Sequence, residues 1–163
     1  MSVFQSQYTR ALKVIPSDNA NIPTPNLIGS GTTTDGGVTN YLIDANADFV
    51  RDNIAAGDII YTLTNTAATV VKVVDANTLI LNANISPSLG VFYYIYNASS
   101  QTSNGNPGCY LYIGTAGNVT VTTIGQDIVT FFSVIAGTVL PVQVVKVHSS
   151  EEGTTVTSII ALW

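Results

Sequence analysis

Asp44, Asn46 and Asp48 occupy alternate positions, the spacing with which a calcium-binding loop begins. Such a loop continues with glycine at its sixth position and a bidentate glutamate at its twelfth. Phe49 and Ala55 stand there instead, so the EF-hand pattern breaks. Together with Asp52 and Asp58, these acids read mainly as helix-start residues favoured by the helix dipole, with a structural calcium ion as the alternative.

The remaining reactive residues are sparse. His148 is the single histidine and Cys109 the single cysteine, which removes the Ser-His-Asp and multi-Cys zinc arrangements in their usual forms. His148 reads as a strand-end residue before the turn Ser149-Ser-Glu-Glu-Gly153, and Cys109 as a small apolar residue opening a strand. Glu151-Glu152 sits on that turn as a solvated pair rather than as carboxylates facing across a cleft. Gly114-Thr-Ala-Gly117 lacks the Lys-Ser/Thr ending of a phosphate loop and lies between strand patterns, so it reads as a β turn. No catalytic residue, cofactor or metal ligand set is expected, and the chain is read as a non-enzyme.

The elements that would carry these residues are short strands. Asp58–Thr64, Ala68–Val74, Thr78–Asn82 and Val91–Tyr96 form a meander rich in β-branched and aromatic residues. Further strands are expected at Tyr8–Ile15 and over 109–114, 118–124, 127–134, 139–148 and 154–162, with Gly137 and Pro141 as punctuation. Gly36-Gly37 marks a hairpin candidate. The one expected helix spans 44–56, with Asp44 as N-cap, Phe49 over Asn53, Val50 over Ile54, and Gly57 as its stop. The fold class is therefore all-β: two small antiparallel sandwich or barrel units with at most one short helix. Ala98 to Gly108 reads as a linker, polar and turn-rich from Ser99 on, and a domain boundary is expected there.

Composition narrows the partners. The 163 residues carry a net charge of −5, with five Lys and Arg scattered along the chain, which disfavours a nucleic-acid partner. No apolar run approaches the roughly 20 residues of a membrane helix, and Met1–Tyr8 lacks the pattern of a signal peptide. Charged residues make up only 9% of the chain, and none occurs from Ala76 to Gln126. Charge is depleted from interface cores, so such a stretch suits a surface covered by other copies or by a larger assembly. A soluble β domain with a Thr/Asn surface is the plainer alternative.

Five phrases also carry a resemblance: Pro16-Ser-Asp-Asn19, Leu111-Tyr-Ile-Gly-Thr-Ala-Gly-Asn-Val-Thr-Val121, Asp127-Ile-Val-Thr-Phe131, Ala136-Gly-Thr-Val-Leu-Pro-Val-Gln-Val144 and Gly153-Thr-Thr to Trp163. In this order the chain resembles the head-decoration and spike-base proteins of tailed phages and gene-transfer-agent particles. It departs at Val156, where alanine is common, and at Glu151-Glu152. In such proteins the early turn runs almost directly into the Leu111 phrase. The resemblance thus implies a split β domain, residues 1–23 and 101–163, interrupted by an inserted β domain over 24–100. The order of Phe49, Gly57-Asp-Ile-Ile-Tyr61 and Asp75-Ala-Asn-Thr-Leu-Ile-Leu81 is similar to modules in marine phage structural proteins.

The resemblance implies a virion structural protein that decorates or cements the outer surface of a capsid after synthesis in the host cytoplasm. Its partners would be the major capsid protein and copies of itself, with a fibre or spike protein as a further partner, and neither nucleic acid nor membrane. Phe4, Tyr8, Ile159, Ile160, Leu162 and Trp163 are the expected assembly contacts, against the alternative that Trp163 closes the core. A tail, neck or baseplate adaptor and a carbohydrate-binding module using Tyr93, Tyr94 and Tyr96 are the other readings.

Overall fold

A computed structural model describes residues 8–85, 88–97 and 108–163. Phe4 and all of the expected linker except Gly108 lie outside them. The described chain is all-β, and every strand pairing is antiparallel.

Three sheets divide the chain. β1 (Ala11–Lys13) pairs with β13 (Ile159–Leu162), which pairs with β8 (Tyr110–Ile113), itself flanked by β11 (Thr138–Val139). A second sheet has β9 (Gly117–Thr123) between β10 (Ile128–Val134) and β12 (Val144–Val147). Cys109 and Val144 exchange backbone hydrogen bonds of 2.9 Å in both directions, joining the two sheets at one corner. The third sheet runs β2 (Leu27–Thr32), β7 (Phe92–Tyr96), β4 (Ile59–Thr62), β5 (Ala67–Val73), β6 (Thr78–Leu81), β3 (Tyr41–Ile43).

Alternation explains the cores. The inward residues Leu111, Ile113, Val119, Val121, Ile159 and Ala161 are buried together between the first two sheets. Val14 and Ile22, from the start of the chain, join them. The six-stranded sheet encloses its own cluster, including Leu42, Phe49, Ile60, Leu79, Tyr93 and Ile95. A smaller cluster of Ile15, Ala20, Ile59, Tyr61 and Ala67 fills the join between the two cores, where the Tyr96 ring meets Tyr61 edge-on at 5.6 Å.

The segment that follows β1 makes this join. Ser17 N and Ile22 N each donate over 2.8 Å to Val147 and Val145 carbonyls, while Asn19 O accepts from Thr69 Oγ1 (3.0 Å) and Asn82 Nδ2 (2.6 Å). One stretch of backbone is therefore bonded to both units.

The helix expected over 44–56 does not form. Asp52 N reaches Asp48 O at 2.9 Å, giving a helical turn, but Asn53 adopts φ 56° and ends it. Phe49 and Ile54 are buried while Val50 is 60% exposed, so only part of the expected spacing is used for packing. The expected strand over 139–148 splits into β11 and β12 around Leu140–Gln143, which include Pro141. Gly36-Gly37 lies in the loop between β2 and β3, which do not pair with each other; a single antiparallel bridge, Asp35 with Ile43, closes it, with Thr34 N donating to Ile43 O at 2.9 Å.

Leu111 is fully buried and Leu63 is 63% exposed. Leu111→Ala is expected to destabilise the protein by about 2–5 kcal/mol, and Leu63→Ala by about 0.5 kcal/mol or less, in urea unfolding. Equal losses would contradict the core assignment.

Candidate assembly surface

The register of the first sheet sorts the side chains at its two ends. Ile159 pairs with Ile113 and Ala161 with Leu111, whereas Ile160 pairs with Tyr112 and Leu162 with Tyr110. Directly opposed residues share a face, so Ile160 and Leu162 lie opposite the core with both tyrosines. Val139 extends the Ile160–Tyr112 row on one side and Lys13 on the other. Tyr8 adds its ring to Tyr110, with centroids 5.9 Å apart. The result is an apolar sheet face on which Tyr8, Tyr112 and Val139 are exposed and Tyr110, Ile160 and Leu162 half-buried, with Lys13 at its margin.

The expected contact residues thus separate. Tyr8, Ile160 and Leu162 gather on this face. Ile159 is buried in the core at 1% exposure, its side chain already spent on internal packing. Trp163 is half-buried against the same core, and its backbone accepts from Thr9 N at 2.6 Å. Tyr110, Tyr112 and Val139 were missing from the expectation. Their β-strand alternation was visible in the sequence, but which alternate set faced outward depends on the pairing with β13.

The turn carrying His148 is held from across the chain by Asp18. Ser149 N donates to Asp18 Oδ1 at 3.1 Å, Ser149 Oγ donates to Oδ2, and His148 Nδ1 stands 3.2 Å from Oδ1. The other ring nitrogen of His148 lies 2.8 Å from Thr122 Oγ1, so both nitrogens have structural partners. Partial burial raises the Asp18 pKa, but the Ser149 hydroxyl and amide bonds, with His148, outweigh it and hold the carboxyl below its ordinary value. Ser149 Oγ also accepts from Glu151 N at 3.2 Å, and Gly153 closes the turn at φ 99°.

The acidic segment forms a polar cleft of about 430 Å³ beside the third sheet. Its buried end is a pair: Tyr93 Oη donates to Asp44 Oδ2 at 2.7 Å, and Asn46 N donates to Asp44 Oδ1 at 2.9 Å. Burial, reinforced by that carboxylate, raises the Tyr93 phenol above its ordinary pKa. Among the described residues no three His, Cys, Asp or Glu side chains are grouped to hold a metal ion. Gly31 is required here by space alone, since a Cβ would come within 2.4 Å of both Asp44 Oδ2 and Tyr93 Oη.

Tyr93 is thus inside the core and Tyr96 packs on Tyr61, leaving no three-tyrosine platform for a sugar. Cys109 is buried, and burial pushes its thiol up to about 12, which keeps it in the unreactive protonated form. Comparisons of the chain with protein-family models, curated proteins and solved structures find no match.

Because the Asp18 pKa is depressed on folding, its contribution is complete above the ordinary carboxylate value of about 3.9 and is lost as pH falls through the folded value. The stability difference between the native protein and Asp18→Ala should be constant near neutrality and shrink in acid. A difference independent of pH in urea titrations would contradict the charged clamp. Gly31→Ala is expected to force Asp44 and Tyr93 apart and to cost about 1–3 kcal/mol, read as a lower urea midpoint.

Proposed function

We propose that this chain is a bacteriophage virion structural protein that binds and stabilises the outer surface of a capsid as a decoration or spike-base component. The observation that carries the reading is the outward apolar face built from Tyr8, Tyr110, Tyr112, Val139, Ile160 and Leu162. Apolar side chains gathered on one outward sheet face suit a protein interface. The resemblance to head-decoration phrases supplies the kind of partner, the major capsid protein. Four of those five phrases contribute residues to the unit that bears the face, and the fifth supplies the Asp18 clamp.

The mechanism is mechanical. Each docked copy removes apolar surface from water at about 25 cal/mol per Å². Repeated over a lattice, these contacts oppose the outward pressure of packaged DNA. The face is carried by paired strands without a register shift, which lowers the ordering cost of docking.

The wild-type protein is expected to co-sediment with emptied capsids and not with isolated tails. Tyr112→Lys with Ile160→Lys should remain folded and lose at least about tenfold in capsid affinity, the scale of losing one interfacial anchor. Binding to tails alone would favour an adaptor role, and unaltered capsid binding by the double variant would move the docking surface elsewhere.

A further inference from the structure

The second sheet ends in a strand of unusual character. β10 pairs with β9 on one side and with no strand on the other among the described residues. Thr123 N donates to Asp127 O at 2.9 Å, which sets the phase of the ladder. Asp127, Val129 and Phe131 turn their backbone groups towards β9, so Ile128 and Thr130 present theirs to the open edge. Along this edge Ile128 is 67% exposed and Phe132 74%, with Ile135 at 74% just beyond.

Proteins that remain monomeric protect such an edge with lysine, proline or an inward charge. β10 has none of these, and no charged residue occurs from Ile128 to Val145. A bulge at Ser133, with φ 53° and its N–H on Asn118 Oδ1 at 3.0 Å, ends the regular ladder but leaves the stretch before it open.

We propose that β10 pairs antiparallel with β10 of a second copy, joining two three-stranded sheets into one across a two-fold axis near Thr130. The occupant follows from charge and from symmetry. Each copy carries −5, so two copies approach most favourably through an uncharged strip. With Thr130 opposite its twin, Ile128 of one copy faces Phe132 of the other, an apolar cross-strand pair made twice. The same antiparallel arrangement holds the two Asp127 carboxylates at opposite ends of the joined strands. A parallel pairing would set them side by side.

The available surface is that of a small interface. Taking about 150–250 Å² for a large side chain, Ile128, Phe132 and Ile135 leave roughly 400 Å² of apolar area exposed. With the backbone edge and Val129, 39% exposed, the patch stays below the roughly 800 Å² per partner of a standard interface and fits a small one in which the backbone ladder supplies much of the contact. The pairing uses a different sheet from the capsid-facing surface proposed above and does not depend on it.

Sedimentation velocity over a concentration series tests the proposal. The full chain is expected to form a closed dimer. Ile128→Lys with Phe132→Lys should weaken self-association by roughly a hundredfold or more, the scale of like charges juxtaposed in an interface. Thr130→Pro removes one outward N–H and should also give monomer, by a backbone route independent of the lysines. Ile160→Lys, on the other sheet, should leave the dimer intact. Thermal unfolding of each variant separates lost pairing from lost folding. A wild-type monomer at every concentration, or a dimer untouched by folded edge variants, would overturn the assignment.

Discussion

The Asp18 carboxylate, clamped by Ser149 and His148 across 130 residues of sequence, is the constraint on which the rest of the arrangement depends. It fixes the chain between β1 and β2 against the turn that follows β12. On one side of the clamp, β1 completes the sheet that carries the outward tyrosines. On the other, Asn19 and Ala20 reach the six-stranded sheet through hydrogen bonds and apolar contact. An ionised carboxylate suits this position because it accepts several hydrogen bonds while remaining partly in water, which limits its desolvation cost.

Much of the fold was legible because strand alternation is a short-range property. The strands of the meander from Ile59 to Tyr96 and β8 to β10 match the spans expected from β-branched and aromatic runs to within a residue at their starts or ends. The failed helix is instructive by contrast. Asp44 does accept from Asn46 N, as an N-cap would, while its other oxygen takes the Tyr93 hydroxyl, a partner 49 residues away. The helix fails further on: Asp48 takes Arg51 N at 3.0 Å and starts a separate turn, and Asn53 adopts the left-handed conformation that ends it.

The candidate surface was only half legible for the same physical reason. Period two predicts that Ile159 and Ile160 face opposite ways, but not which one faces the core. That choice is made by the partners: Ile113 and Leu111 are inward on β8, so Ile159 and Ala161 must join them. Apolar residues on both faces of β13 and β8 conceal the distinction in sequence. The β10 edge was harder still. An exposed apolar strand and a buried one have the same composition, and only the absence of a second paired neighbour distinguishes them.

The pairing of β1 with β13 also imposes an order on synthesis. Thr9 and Trp163, which meet at the end of this ladder, are 154 residues apart, so β1 leaves the ribosome long before its partner exists. The six-stranded sheet, built wholly from the intervening chain, has all its strands available first. Once formed, it replaces a long flexible loop with a compact body and reduces the entropy lost when β1 and β13 finally close. β1 is therefore made early and locked late, and the outward face becomes continuous only when the chain has emerged as far as β13.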